Sequence, residues 1–373
     1  MQRDTRSSRG LLPSVLRRLR AGAIGAAATY AGAVAGYALV RPLIRHREGW
    51  LELADDLEPW AYVPAPAIWL GGALLGSASL STAGAGLAAI FGLRWGHRFF
   101  RRPTPRPEAR AATDLVVMTY NTLAWQREGH DLAASIVKAN PDLVGLQELG
   151  TNGAEYLAQT LADRYPYHFI TNASSSSGAA VLSRYPLRDP VAFRASPAGH
   201  WWQRMTVESP AGPIAYVNLH TRIPYVRKSH RKLGGLAAPL EYRSDRRRGE
   251  VSKLIEMVRQ IEGPAIVTGD FNMTEHCQDH RALSAVLRDA YREVGAGFGH
   301  TFPRVGMMPR LFPVPWPVLR LDYVWHSDHF IASWAARGDA GKSDHHPIVA
   351  GLRWSEPVRQ VVGPRVPLAA SAV

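Results

Sequence analysis

A run of 20 residues without a charge lies between Arg20 and Arg41, near the N-terminus of the chain. Its sequence, AGAIGAAATYAGAVAGYALV, is long enough for one helix to cross a hydrocarbon layer of about 30 Å. Ala and Gly make it only weakly hydrophobic, although small residues favour close helix packing. A signal peptide is the rival interpretation, but the run is long for such a peptide and a second run follows.

The second uncharged run covers 35 residues, from 59 to 93. As a single helix it would measure about 53 Å, too long for one crossing, whereas two full crossings need about 40 residues. Its middle, GSASLSTAGAG, is small and polar and favours a hairpin turn. We therefore expect a multi-pass transmembrane region at 21–96, with two or three helices and with three favoured.

The flanking charges give conflicting indications about the compartment of the C-terminal part. Six arginines lie within residues 1–20, which places the N-terminus in the cytoplasm by the positive-inside rule. Three crossings then put the C-terminal part outside the cytoplasm, the arrangement that we expect in the cell membrane, and two put it inside. The basic segment 94–110 favours the inside, so the sequence leaves the choice open.

The net charge of +13 invites a nucleic-acid interpretation. Residues 1–110 hold 15 Arg, no Lys and 7 acids, whereas residues 111–373 hold 29 basic and 24 acidic residues. Most of the excess therefore flanks the apolar runs, where membrane topology explains it. The only cysteine, Cys277, excludes an intrachain disulfide.

After residue 112, short apolar runs alternate with helical stretches, the pattern of an α/β fold. We predict strands in DLVVMTYNTL, DLVGLQEL, AAVLSRYPL, IAYVNLHT, AIVTGDFN, LDYVWHS and HHPIVAGLRW, and helices in GHDLAASIVKANP and RRRGEVSKLIEMVRQIEG. The predicted organisation is a basic tail at 1–20, the transmembrane region, a linker at 97–112, a catalytic domain at 113–355 and a disordered tail at 356–373.

Polar residues lie at the beginnings or ends of many of these strands: Asn121, Glu148, His220, Asp270, Asn272, Asp322, Asp344 and His345. Each alone has an ordinary explanation, such as a turn cap, a salt bridge, a structural histidine or an Asx-turn beside Gly269. Together, their oxygens and imidazoles suit a hard cation such as Mg²⁺ that also binds water and substrate phosphate. The sequence has no set of cysteines and no HExxH helix that would favour zinc.

In this order, TYN, QE, NLHT, GDFN, LDY and SDHHP resemble the motifs of the endonuclease/exonuclease/phosphatase superfamily over residues 113–354. Its members include pancreatic-type DNases, abasic-site endonucleases, neutral sphingomyelinases and inositol polyphosphate 5-phosphatases. The resemblance implies a four-layer α/β sandwich, two packed β-sheets flanked by helices, here preceded by N-terminal transmembrane helices. It also implies a metal-dependent phosphoric ester hydrolase that uses Mg²⁺ or Mn²⁺, in a membrane-anchored bacterial-type member.

The same resemblance implies a metal site. Glu148 corresponds to the main metal carboxylate, with Asn121 beside it and Asp344 as a further ligand or a water-mediated contact. The number of metal ions stays open. His220 stands where abasic-site endonucleases carry a tyrosine, which favours relatives of the DNase, sphingomyelinase or phosphatase type.

The catalytic roles are likewise implied position by position. His345 corresponds to the catalytic histidine, and Asp322 to its carboxylate partner, which fixes tautomer and orientation. Asp270 and Asn272 correspond to the pair that positions the attacking water and the scissile phosphate. His220 corresponds to the second histidine, which donates to a phosphate oxygen or to the leaving group. Whether His345 removes the proton of the water or donates to the phosphoryl oxygens stays open.

Residues 222–248 hold nine basic and two acidic residues, a local charge of +7. We interpret Arg222, Arg246, Arg247 and Arg248 as substrate-binding residues that attract a polyanion or an anionic head group. A solvated basic loop that leads into a helix is the alternative. The apolar, Pro-rich segment 307–319 either covers the core or dips into the bilayer beside the site.

Three hypotheses follow. The first is a membrane-anchored, metal-dependent phosphodiesterase or phosphatase that acts on phosphate esters at the bilayer, including lipid-linked ones. The second is a membrane-tethered nuclease, with nucleic acid as a partner that we do not favour. The third is a catalytically silent membrane scaffold, against which the complete set of strand-end residues argues.

Overall fold

The structure, a computed structural model, describes the following residues: 8–44, 49–101, 113–123, 129–171, 177–228, 232–233, 236–237, 240–304 and 316–355. Most of the predicted linker 97–112 and all of the predicted tail 356–373 lie outside these residues, as does most of the apolar segment 307–319. The chain divides into two compact units, Met1–Phe100 and Arg101–Val373, which are described separately.

The described residues of the first unit form four α-helices: α1 Ser8–Val40, α2 Trp50–Leu57, α3 Ala65–Leu74 and α4 Ala78–Trp95. Within the described residues, Val15–Leu43 is the one helical segment long and apolar enough to cross a membrane, by length and composition alone. The 10 residues of α3 reach only about 15 Å. Our expectation of several transmembrane helices, and with it a multi-pass arrangement, is therefore not supported.

The second uncharged run does form the expected hairpin, but its turn lies at 75–77 and makes the first arm short. A glycine lets the two arms approach closely, since a Cβ on Gly84 would lie 2.3 Å from the backbone nitrogen of Trp69. Acidic residues between α1 and α3 are paired with arginines. Asp55 accepts two hydrogen bonds from Arg41, at 2.7 and 2.6 Å, which offsets the cost of burying both charges.

The strands of the second unit, in chain order, are β1 Leu115–Asn121, β2 Leu143–Gln147, β3 Tyr167–Thr171, β4 Ala179–Ser183, β5 Leu187–Arg194, β6 Trp201–Ser209, β7 Gly212–His220, β8 Tyr225–Lys228, β9 Lys232–Leu233, β10 Leu236–Ala237, β11 Leu240–Arg243, β12 Ala265–Asp270, β13 Arg288–Asp289, β14 Asp322–His326, β15 Phe330–Arg337 and β16 Ile348–Trp354. Two six-stranded mixed sheets result, in the orders β15-β16-β1-β2-β4-β3 and β13-β14-β12-β7-β6-β5. The seven predicted strands are all present. The other strands were not predicted: β3, β5, β6, β8, β9, β10, β11, β13 and β15.

Helices flank both sheets: α5 Gly129–Ala139, α6 Thr151–Thr160, α7 Asp245–Arg259, α8 Gln278–Leu283 and α9 Ala290–Val294. Apolar side chains of α5 and α6 pack on the first sheet, and those of α7 and α8 pack on the second. Between the sheets, residues such as Val117, Tyr216 and Ile266 form a third cluster. The predicted α/β sandwich of two packed sheets flanked by helices is thus confirmed.

A set of buried amides connects the two sheets beneath the ends of β2 and β7. Gln147 of the first sheet donates from Nε2 to Oδ1 of Asn218 in the second sheet, at 2.7 Å. Asn218 in turn donates to the carbonyl oxygen of Leu146 at 3.0 Å and to Oε1 of Gln203 at 3.0 Å. Because buried amides must be hydrogen-bonded, these contacts specify how the sheets face each other.

Candidate active site

Strand register brings predicted site residues of the second sheet side by side. Asp270, the last residue of β12, is the register partner of His220 at the end of the parallel strand β7. It is also the partner of Asp322, the first residue of the antiparallel strand β14. In the first sheet, Asn121 ends β1 and Glu148 directly follows β2. The strands thus deliver these five residues to the same edge of the sandwich.

His345 and Asp322 form the pair expected from the sequence. Nδ1 of His345 lies 2.8 Å from Oδ2 of Asp322, and both residues are buried. Burial alone would lower the pKa of His345, but the carboxylates of Asp322 and Asp270 outweigh it and raise the pKa to about 10. The imidazole is therefore protonated in this arrangement, with Nε2 lying 3.8 Å from Oδ2 of Asp270.

Two carboxylates share one amide between the sheets. Nδ2 of Asn121 donates to Oδ2 of Asp270 at 2.9 Å and to Oε1 of Glu148 at 3.2 Å. Burial, reinforced by the charge of Asp270, raises the pKa of Glu148 to about 7. The backbone of Glu148 has a φ of 51°, a left-handed conformation that is unusual for a residue with a side chain and is typical of functional sites.

His220 and Asn272 approach Asp270 from the other side. Nε2 of His220 lies 3.6 Å from Oδ2 of Asp270 and 3.9 Å from Oε1 of Glu148. Nδ2 of Asn272 lies 3.0 Å from the same Nε2, and the backbone N–H of Asn272 donates to Oδ1 of Asp270 at 2.9 Å. Burial, with the charge of His345 adding to it, lowers the pKa of His220 to about 3, so this imidazole is neutral.

The SDHHP segment is a bend that precedes β16, so neighbouring side chains need not alternate as they would in a strand. Ser343 donates to the carbonyl oxygen of Asn121 at 2.7 Å and accepts from the backbone N–H of His345 at 3.1 Å. Asp344 is buried, and burial raises its pKa. His346 points elsewhere: its Nδ1 lies 3.2 Å from the carbonyl oxygen of Gly338.

The predicted substrate-binding arginines separate into different environments. Arg246 is exposed on α7, and Arg222, which follows the strand of His220, is half-buried. Arg247 is 1% exposed, donates to Oδ2 of Asp279 at 2.9 Å and to the carbonyl oxygen of Asn272 at 2.6 Å.

Arg247 is therefore unavailable to a substrate, and this prediction is wrong, because helical phase turns the side chain inward, onto a buried carboxylate. Arg248 is partly exposed and also bonds Asp279, at 3.3 Å.

The oxygen-rich donor set fits a hard divalent cation such as Mg²⁺ or Mn²⁺. Asp270 and Asp344 are buried and Glu148 is half-buried beside them. Burial raises the pKa of Glu148, and the charges of Asp270 and Asp344 add to the shift. Asp270, Asp322 and His345 also offer ligand atoms within 4.8 Å of one another. However, Nδ1 of His345 is already bonded to Asp322, so the Glu148 side suits a cation better.

The sequence profile of the Endonuclease/Exonuclease/phosphatase family matches residues 118–345, more than half of the chain. The chain belongs to this family. Its members are generally metal-dependent phosphoesterases, and the buried acidic and histidine cluster is consistent with a metal site typical of them.

Two relatives of known sequence are similar to this chain. Inositol phosphosphingolipids phospholipase C of Saccharomyces cerevisiae is 29% identical over 191 residues, which cover 46% of this chain and 38% of that protein. This chain thus spans less than half the length of that relative. The uncharacterized protein YbhP of Escherichia coli K12 is 27% identical over 269 residues, or 69% of this chain and 92% of YbhP.

A solved structure shows the same fold. The endonuclease/exonuclease/phosphatase crystal structure from Bacteroides vulgatus aligns with a TM-score of 0.52 at 19% identity. The alignment covers 65% of this chain and all of that one.

His200, which lies against the site of this family member, was not predicted from the sequence. Its ring stacks on that of His220 with centroids 3.9 Å apart and planes 13° apart. His200 precedes β6 in a segment without any strand-end motif, so its position depends on the pairing of β6 with β7. A histidine just before a strand that pairs with the His220 strand is the signal that could have found it.

Proposed function

We propose that this family member is a membrane-anchored, divalent-metal-dependent hydrolase of phosphate esters, with lipid-linked phosphates as its substrates. The observation that supports this most strongly is the convergence of Asn121, Glu148, His220, Asp270 and His345 around one buried space. Burying several acids together destabilises the fold unless they are compensated. A catalytic use, with a cation and a phosphate bound, accounts for this arrangement.

In the proposed reaction, Asp322 fixes the ring of His345, and the protonated Nε2 of His345 donates to a phosphoryl oxygen. Asp270, whose carboxylate is held by the backbone N–H of Asn272, orients the attacking water and accepts its proton as the new P–O bond forms and the bond to the leaving oxygen breaks. His220 donates to a phosphate oxygen or the leaving group when its proton is on Nε2.

Glu148, with Asn121 and Asp344, would hold the divalent metal, whose charge offsets that of the phosphoryl oxygens when it is bound. Asn121 presents its Nδ2 to Glu148 in this structure, so ligation through Oδ1 requires the amide to turn over. Asp344 then acts as a ligand or through a water molecule.

Helix α1 supports the membrane anchor, since Val15–Leu43 has the length and composition to cross a bilayer. Six arginines precede the apolar part of α1, which favours a cytoplasmic N-terminus. A single crossing then places the catalytic unit outside the cytoplasm, the compartment that we propose.

The segment after His220 favours a lipid substrate. Ile223 is 67% exposed, and Tyr225 and Val226 are each 51% exposed, so large apolar side chains face solvent within six residues of a catalytic histidine. Exposed apolar patches commonly mark membrane or ligand contact. The relative from Saccharomyces cerevisiae is, by name, a phospholipase C of inositol phosphosphingolipids.

The nuclease hypothesis rests on the basic stretch 222–248. Arg247 and Arg248 of this stretch are both bonded to Asp279, which leaves less free positive charge for a polynucleotide. The nuclease is therefore the second candidate, and it predicts salt-sensitive DNA binding that weakens when Arg246 is neutralised.

The full-length protein in detergent micelles with Mg²⁺ tests the proposal. Phosphosphingolipids, glycerophospholipids, prenyl phosphates and plasmid DNA are offered in parallel, with and without a chelator, and with His345→Ala as the matched inactive variant. We expect chelator-sensitive release of phosphate or a phosphorylated head group from a lipid. Turnover of DNA alone selects the nuclease, and turnover that His345→Ala leaves unchanged contradicts the assigned site.

A further inference from the structure

Nδ1 of His345 is hydrogen-bonded to the carboxylate of Asp322, but Nδ1 of His220 has no such carboxylate among the described residues. Its Nδ1 is buried and has no hydrogen-bond partner among the described residues. Its Nε2 contacts Nδ2 of Asn272, whose amide also donates to the carbonyl oxygen of Thr221 at 3.0 Å. A ring held at one nitrogen only is free to tilt about that contact, so the hydrogen bonds of His220 do not by themselves fix its plane.

The ring of His200 supplies the missing constraint. It covers one face of His220 in a nearly parallel stack, with a centroid separation of 3.9 Å. Stacking of this kind is attractive and directional, and it blocks out-of-plane rotation of the covered ring. Trp202 adds a backbone contact, since its indole Nε1–H donates to the carbonyl oxygen of His220 at 3.2 Å.

A buried carboxylate on α7 fixes the segments that carry both imidazoles. Oε1 of Glu250 accepts from the hydroxyl of Ser196 at 2.7 Å, and Oε2 accepts from the backbone N–H of Arg222 at 2.8 Å. Ser196 lies in the turn that leads to His200, and Arg222 follows His220 by two residues. Glu250 thus ties both segments to one helix.

The turn before His200 passes close to the carboxylate of Glu250. Gly199 donates its backbone N–H to the carbonyl oxygen of Ser196 at 2.9 Å. A Cβ on Gly199 would lie 2.7 Å from Oε1 of Glu250, so a larger residue would push the turn away from the carboxylate. A larger residue at position 199 would therefore have to displace the Glu250 carboxylate or the Ser196 hydroxyl from their present positions.

We propose that His200 is a positioning residue of the active site: its stacked ring holds the imidazole of His220 so that Nε2 stays directed at the space between Asp270 and Glu148. This inference rests on the proposed function, because it assigns a task to His220 in the hydrolysis. His200 acts through its ring face, so an aromatic ring without nitrogens at this position retains the effect.

The test compares His200→Ala with His200→Phe in the whole chain of residues 1–373, using the lipid substrate that the panel identifies. Loss of the stack in His200→Ala lowers kcat on the order of 10- to 100-fold with KM nearly unchanged, because the reacting group is misplaced. His200→Phe keeps kcat within about 3-fold of the original protein, since stacking persists. Trp201→Ala, which removes the neighbouring ring, is the control for local damage to β6.

Unchanged kcat in His200→Ala overturns the proposal, as does an equal loss in Trp201→Ala. The proposal is also overturned if kcat falls in His200→Phe but not in His200→Asn. The nitrogen atoms of His200, rather than its ring face, would then matter.

A readout without turnover separates this inference from the proposed function. Carbethoxylation of His220 by diethyl pyrocarbonate, followed by peptide mass spectrometry, should be slow in the original protein and in His200→Phe and faster in His200→Ala. If no substrate is turned over, the labelling still decides whether the stack holds His220, and equal labelling in all three proteins overturns the inference.

Discussion

The two histidines of the site approach the same carboxylate from opposite sides. Nε2 of His345 lies 3.8 Å from Oδ2 of Asp270, and Nε2 of His220 lies 3.6 Å from the same atom. Their second contacts differ. His345 is hydrogen-bonded through Nδ1 to Asp322, whereas Nδ1 of His220 has no partner within the described part of the chain and its ring face lies on His200.

The pKa values of the two imidazoles are shifted in opposite directions. The carboxylates beside His345 overcome its burial and raise its pKa to about 10, whereas burial lowers the pKa of His220 to about 3. Equal distance from one carboxylate therefore does not determine the charge of a histidine. For His345, the carboxylates of Asp322 and Asp270 decide the direction of the pKa shift. For His220, burial decides it.

The largest effect is expected from removing the hydrogen-bonded histidine. His345→Ala should lower kcat by about 10³- to 10⁴-fold, since it removes the charged donor at the reacting phosphate. Steady-state kinetics on the lipid substrate measure this, with thermal unfolding as a check on folding. A loss below 10-fold would remove His345 from the reaction and leave His220 as the principal group.

The next largest effect should come from changing the partner of His345. Asp322→Asn keeps the shape of the side chain but removes its charge, so the pKa of His345 should fall and kcat should drop by about 10²-fold. The pH profile of kcat checks the direction of this shift. If the variant has the activity of the original protein, Asp322 does not distinguish the two histidines.

A smaller effect should result from disturbing the His220 side through α7. Arg247→Met removes the 2.9 Å partner of the buried Asp279, leaves it the longer 3.3 Å bond from Arg248, and takes a donor from the carbonyl oxygen of Asn272. Stability should therefore fall by about 3 kcal/mol and kcat by about 10-fold. Urea unfolding and kinetics measure the two effects. Arg259→Met, on the exposed face of the same helix, is the matched control and should change neither; equal effects would contradict the assignment.

The smallest effect is expected from the histidine beside His345. His346→Ala should leave kcat within about 2-fold and cost about 1 kcal/mol of stability, since it removes one hydrogen bond to Gly338. Kinetics run beside His345→Ala provide the comparison. A large loss of activity would show that both histidines of SDHHP serve the reaction.

Residues at strand ends could be predicted because a strand end fixes where a side chain emerges. The order of motifs thus pointed to Asn121, Asp270 and Asp322, and their edge of the sandwich followed from parallel and antiparallel pairing. His200 could not be found in this way, since its contact with His220 depends on a turn and on Glu250, 50 residues later.

Two further features could not be predicted from the sequence: the burial of Arg247 and the lengths of the N-terminal helices. A run of three arginines is typical of a solvated face, and only the helical phase of α7 together with Asp279 buries the middle one. In the uncharged run 59–93, composition predicted a turn within 76–86, whereas the turn lies at 75–77 and makes α3 too short to cross a bilayer.

The buried amides of Gln147, Asn218 and Gln203 bear on how such a site tolerates change. Asn121 and Glu148 come from one sheet and His220 and Asp270 from the other, so sliding of the sheets would separate the two halves of the chemistry. An interface made only of apolar side chains permits such sliding, whereas directional hydrogen bonds between side-chain amides do not. Loops at the rim are therefore free to diverge toward new substrates while the interior keeps the reacting groups aligned.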